Sequence, residues 1–274
     1  MNFDALDSSI LGPAFIAGLI VLCTHIPLGQ RVLARGIIFI DLAIAQIAAL
    51  GVIVAQTAGV DEHSVWVQVS AALAALTGAA LLNWSDKRWP QKQEALIGCS
   101  FALAASAAIL LLANNPHGGE HLKELLVGQI LWVNNSQLIS TALISVFLLA
   151  VLWLQRNNAQ GFLFYAIFAI AITQSVQLVG VYLVFTSLIV PALATDNLSG
   201  KRRQLTAFGI GISGYALGLI GSAVLDLPSG AVIVWALAVC AVMARLILPA
   251  QNQQQQPTAT VDNAEQLELH KKTA

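Results

Sequence analysis

The sequence predicts an all-α polytopic membrane protein of about nine transmembrane helices, its N-terminus outside and its C-terminus cytoplasmic. Three observations carry this. Of 274 residues, 57% are hydrophobic and 10% charged, where soluble domains carry about 25% charged residues, and mean hydropathy is +0.76. The apolar residues gather into runs of the ~17–25 residues that a bilayer crossing takes. Lys and Arg fall between alternate runs, the pattern that orients a membrane chain with its basic loops inside.

In order, the runs lie near 10–28, 37–59, 64–84, 95–113, 136–155, 205–225 and 229–248. Before the first run, Met1 to Ser9 carries Asp4 and Asp7 and no basic residue. That is not the basic start of a signal peptide, so the run reads as a retained helix. Residues 122–133 form a shorter amphipathic segment, interfacial or re-entrant. The apolar stretch 161–195 is too long for one helix, and Gln174, Gln177 and Gly180 offer a turn, so it splits near 177. The split makes nine crossings; without it there are eight. The transmembrane domain then covers 1–250, and the Gln-rich segment 251–274 is expected to be a disordered cytoplasmic tail, where His270 reads as a solvated residue.

Charge supports the split. Twelve of the thirteen basic residues fall on one side, in loops holding Arg31 and Arg35, Lys87 to Lys92, Arg156, Lys201 to Arg203, and Arg245 with Lys271 and Lys272. Only Lys123 lies opposite, where Asp61, Glu62, Glu120 and Asp226 collect. Net charge is −1 and no extended basic patch exists, which excludes a nucleic-acid partner. Cys23, Cys99 and Cys240 all lie in apolar runs and read as small buried hydrophobes.

The run Val176 to Thr195 ends at Pro191-Ala192 and passes into the polar segment Asp196 to Gln204. A membrane helix that stops at small residues and a short charged segment suits docking of a cytoplasmic partner. Gly209-Ile210-Gly211-Ile212-Ser213-Gly214 has the form GxGxxG, but it lies in a membrane run with no strand before it. It therefore reads as close helix packing, continued by Gly218 and Gly221.

Three clusters carry candidate chemistry. His117-Gly118-Gly119-Glu120-His121 has the form of the HxxEH metallopeptidase signature. Asn114, Asn115, Pro116 and the two glycines work against the helix such a site needs, so metal handling by an outside loop and a plain polar turn are the readings of equal weight. Asp41, ionisable within a membrane run, reads as functional by default, or as snorkelling or pairing near Arg35. Gln46 lies about 140° from it around a helix and reads as a path-lining or helix-bridging amide. His25 reads as a satisfied interhelical donor. No GxxxxGK[ST] occurs in the chain, so an ATP motor would be another polypeptide.

Four pieces of the chain, in order, resemble one family, the permease subunits of metal-ion ABC importers of the zinc and manganese uptake class. Pro27-Leu28-Gly29, Arg35 and the helix to Gly51 look like the first cytoplasmic turn and second helix of that family. Leu126 to Val133 looks like its short segment, and Val179-Gly180 through Pro191 to Thr195 looks like its most specific signature. Asp226-Leu227-Pro228-Ser229-Gly230 matches its Asp-x-Pro-x-Gly turn.

The resemblance implies a homodimeric permease in the cell (inner) membrane, bound to ABC ATPase subunits and fed by an external (periplasmic) metal-binding protein. It implies no permanently bound cofactor, only a transported divalent metal, with zinc expected first. The segment Ala192 to Gln204 would be the coupling helix, with Ala192, Thr195, Asp196, Asn197, Lys201, Arg202 and Arg203 at the ATPase. The Asp and His that the family places four apart on the second helix are here Leu42 and Gln46, with Asp41 one residue earlier, and the acid after the glycine of the short segment is Gln129. Metal contact would then rest on His117, Glu120 and His121, with Asp41 and Gln46 along the path. The rival cargoes are manganese, iron or a metal chelate. Rivals from other classes are a stand-alone ion-coupled carrier and a membrane metallopeptidase.

Overall fold

The computed structural model describes residues 7–61, 64–112, 126–154 and 161–248. Among these the chain is all helical. The helices are α1 (Ser8–Arg35), α2 (Ile40–Thr57), α3 (Val65–Arg88), α4 (Gln93–Leu112), α5 (Asn135–Leu154), α6 (Phe162–Val179), α7 (Val181–Ala194), α8 (Gly200–Leu225) and α9 (Ser229–Ile247). Single 3₁₀ turns at Pro90–Lys92 and Ile130–Trp132 complete the described elements. Eight of the helices have the length and apolar character to cross a membrane, and α7 is the shorter ninth.

Local chemistry sets the boundaries. Asp7 caps α1 by accepting a hydrogen bond from the Ser9 N–H at 2.8 Å, and that bond lowers its carboxyl pKa. Gly36, left-handed at φ 69°, ends the helix. Pro27-Leu28-Gly29, read from sequence as a turn, instead lies inside α1. The missing proline hydrogen bond is tolerated in a packed membrane helix. Gly29 is needed for a different reason: a Cβ there would meet the Leu188 carbonyl oxygen of α7 at 1.9 Å. The break in 161–195 falls at Gly180, three residues beyond the expected place. Its backbone (φ 80°, ψ 162°) is one that a side chain rarely permits.

Side-chain bonds tie the helices where their backbones turn. Gln93 at the start of α4 accepts from Ser85 Oγ at 2.8 Å and donates to the Leu82 carbonyl at 2.9 Å, fixing the α3–α4 corner. Gln174 donates to Thr141 Oγ1 across α6 and α5 at 2.9 Å. Of the α8 glycines expected to pack, Gly211 lies against Leu22, Gly214 against Leu237 and Gly218 against Ile233, whereas Gly209 meets nothing within 4 Å. Leu22–Gly211 and Gly18–Tyr215 run α1 antiparallel to α8, and the Ser187–Tyr215 hydroxyl pair (2.9 Å) joins α7 to the same core.

These contacts separate charge along the bundle. The end of α1, the α3–α4 corner, the start of α6, the start of α8 and the ends of α7 and α9 share one side of the molecule. Phe39 N–H donates to Glu94 there, Arg35 covers the Phe164 ring at 3.8 Å, and Arg245 pairs with Asp196. Every described Lys and Arg lies at this basic end. Asp7, Asp61 and Asp226 lie at the other, with no described basic residue beside them.

Candidate functional site: a cavity walled by a short helix

Three of the sequence pieces meet at the acidic end of α7. Val127-Gly128 crosses between the Gly180 break and the start of α9. A Cβ on Gly128 would lie 2.2 Å from the Val179 carbonyl carbon, one on Gly180 2.4 Å from Gly128 N, and one on Gly230 2.4 Å from Val127 O. Backbone meets backbone at both crossings, so glycine is the residue that fits. Asp226, the one non-glycine residue at positive φ (54°) among those described, ends α8 just before this crossing. Ser222 Oγ holds that turn by donating to the Leu227 carbonyl at 2.6 Å.

Beneath the crossing opens a cavity of about 520 Å³. Leu42, Gln46 and Ala49 line it from α2, Phe101 and Ala105 from α4, Tyr182, Phe185 and Thr186 from α7, and Ala231 and Trp235 from α9, together with Leu126. Leu42 and Gln46 are one turn apart and share a helix face. The Thr186 hydroxyl is turned back to the Tyr182 carbonyl at 2.8 Å. Toward the basic end, Phe185 stacks on Phe39 with ring centres 6.1 Å apart and planes 7° from parallel.

Asp41 is not part of this wall. It sits in the first turn of α2, 1% exposed, with no hydrogen-bond partner for either carboxyl oxygen. Buried in this way, it does not snorkel. His25 is fully buried, its Nδ1 2.9 Å from the Val21 carbonyl and 3.1 Å from Thr24 Oγ1, while Nε2 has no partner. Among the described residues no three His, Cys, Asp or Glu side chains come together as a metal site. His117, Glu120 and His121 lie outside the described residues, as does 251–274.

The segment Ala192 to Gln204 folds as the end of α7, a turn at Thr195 to Asn197, and the first turn of α8. Ala192 and Thr195 are fully buried, and the Thr195 hydroxyl donates to the Pro191 carbonyl at 2.7 Å. Asp196, Lys201 and Arg202 are exposed, and Asn197 and Arg203 are half-buried. Arg245 from α9 donates to the Ala194 carbonyl and pairs with Asp196, locking the turn to the last helix. Sequence reading missed two sets of residues here. Arg245 gave the signal of a lone cation at the end of the last run. Phe101, Phe185 and Trp235 gave none, because an aromatic residue facing a cavity and one facing lipid look alike in an apolar run.

The structure resembles that of PsaBC from Streptococcus pneumoniae in complex with Fab, with a TM-score of 0.73 and 20% identity over 92% of this chain and 98% of that one. It also resembles an inward-facing putative metal-chelate type ABC transporter, with a TM-score of 0.53 and 14% identity over 85% and 74% of the two chains. At these identities the likeness is one of fold. The family model of the ABC 3 transport family matches residues 7–160 and 156–247, and with nearly all of the bundle so matched, the chain belongs to that family of ABC transporter permeases.

Proposed function

We propose that this chain is the permease subunit of an ATP-driven importer of a divalent metal, zinc first, working as a homodimer in the cell (inner) membrane. ATP hydrolysis would sit on separate ABC ATPase chains, and an external metal-binding protein would deliver the cargo. The observation that carries the reading is α7. One end of this helix walls the cavity through Tyr182, Phe185 and Thr186, and the other ends in the polar turn at Asp196 that Arg245 braces. Motion imposed on the turn therefore reaches the cavity wall along α7, whose 14 residues span about 21 Å.

The basic end would face the cytoplasm by the rule that basic loops stay inside, which puts the N-terminus outside and the turn where an ATPase docks. His117, Glu120 and His121 would receive the metal outside, since imidazole suits zinc. Manganese, ferrous iron and a metal chelate are the other cargoes, the last favoured by the description of the second structural relative. Vesicles holding the assembled transporter, assayed with ATP, with a non-hydrolysable analogue and without the ATPase, test the mechanism. Uptake is expected only with hydrolysis. Flux through the permease alone would select an ion-coupled carrier instead.

A further inference from the structure

Packing divides the described bundle into two groups of helices. Helices α2, α3, α4 and α6 pack on one another, as do α1, α7, α8 and α9, and the two groups touch only lightly where α2 meets α7. The cavity lies on this seam, lined from α2 and α4 of the first group and from α7 and α9 of the second. Arg245 of α9 is paired with Asp196 in the turn after α7, so a push on that turn moves the second group against the first. We infer that the stacked rings of Phe39 and Phe185 close the seam on the basic side of the cavity. Phe185 travels with α7, and Glu94 is the positioning residue that holds Phe39. The inference rests on the importer reading and names the closure of its path.

The positions of the residues carry it. Leu42, Gln46, Ala49 and Ile53 line the cavity at spacings of three and four, and Phe39 stands three residues before Leu42, on the same face and toward the basic end. Phe185 lines the cavity from α7 and crosses the seam to stack on Phe39, with ring centres 6.1 Å apart. The pair is thus the floor of the cavity. Phe39 is the N-cap of α2, and its side chain makes no cap hydrogen bond. Its N–H instead donates to Glu94 Oε1 at 3.3 Å, from the first turn of α4. Glu94 lies two turns before Phe101, on the cavity face of α4, so the bond fixes Phe39 within the first group. The ring planes are 7° from parallel, and parallel rings part by sliding, with no hydrogen bond to break. Two apolar rings in contact offer an ion neither ligands nor water, so the stack bars charge while it is closed.

The test places one thiol in the cavity wall, Ala105→Cys, in a chain whose Cys23, Cys99 and Cys240 are replaced by Ser. Sealed membrane vesicles holding the assembled permease and ATPase, with the basic end exposed, are treated with a membrane-impermeant maleimide. Labelling is expected to be slow without ATP and quicker during turnover. Phe39→Ala should raise the rate without ATP about three- to tenfold, the population shift that loss of one aromatic pair allows. Glu94→Ala should raise it as well, whereas Glu94→Gln, whose amide oxygen still accepts the Phe39 N–H, should match the parent. Co-elution of the ATPase with each variant checks assembly. Labelling of Phe39→Ala at the parent rate would overturn the closure. Labelling that quickens equally in vesicles exposing the acidic end would mean general loosening and overturn it too. Glu94→Gln as quick as Glu94→Ala would remove Glu94 from its role. ATP without effect on the parent, with Phe39→Ala still quick, would keep the closure and contradict the ATP-driven reading.

Discussion

Gly180 is held at φ 80° with the backbone of Gly128 pressed against it, and a Cβ at either position would meet main-chain atoms well inside contact distance. Gly180→Ala should therefore cost at least about 2 kcal/mol, from a backbone region closed to side chains and from overpacking against atoms that cannot rotate away. Gly209, in α8, has nothing within 4 Å of its Cβ position. Gly209→Ala should leave stability unchanged or raise it by about 0.5–1 kcal/mol. Thermal unfolding of the two variants in detergent checks the contrast, and equal melting temperatures would mean that the crossing at Gly128 is not tightly packed. At this scale the sequence was partly legible. The Val179-Gly180 and Asp226 to Gly230 pieces could be picked out, but the glutamines at 174 and 177 drew the expected break too early. Gln174 is spent on a bond to Thr141, and the backbone conformation of Gly180 decides where the chain turns.

The element that joins cavity to surface is α7, and the turn after it divides into two kinds of residue. Ala192 and Thr195 are buried and act through the fold, whereas Lys201 and Arg202 are exposed and free to meet a partner. Reversing both charges, Lys201→Glu with Arg202→Glu, should lower substrate-driven ATP hydrolysis by the assembled transporter about tenfold, equivalent to ~1.4 kcal/mol of docking energy. The permease itself should remain folded. Coupled hydrolysis at its original rate would remove these two residues from the docking surface. Run lengths foretold the helices well because a bilayer demands long apolar segments. The Pro27 to Gly29 reading failed because Pro and Gly, breakers in soluble helices, are tolerated within a membrane helix, where Gly29 lets α1 approach the Leu188 carbonyl.

Over the whole molecule, the alternation of basic and acidic loops in the sequence becomes a bundle with all its described cations at one end. That arrangement could be read from sequence because each helix carries the chain across once, so loop order sets the side. The cavity could not, since helices that are apolar nearly all round carry no signal of which face meets lipid and which meets a path. Leu42 and Gln46 illustrate the point: their spacing puts them on one face, but only the packed structure shows that face opening on the cavity. Asp41, the residue that sequence marks most strongly, is instead buried in the first turn of α2.

The import of a divalent metal is tested most directly by the total zinc, manganese and iron of cells with and without this chain, grown in chelator-limited medium. A selective fall in zinc on loss of the chain is expected. A fall in manganese or iron would keep the permease and change its metal, while unchanged levels of all three would contradict metal import.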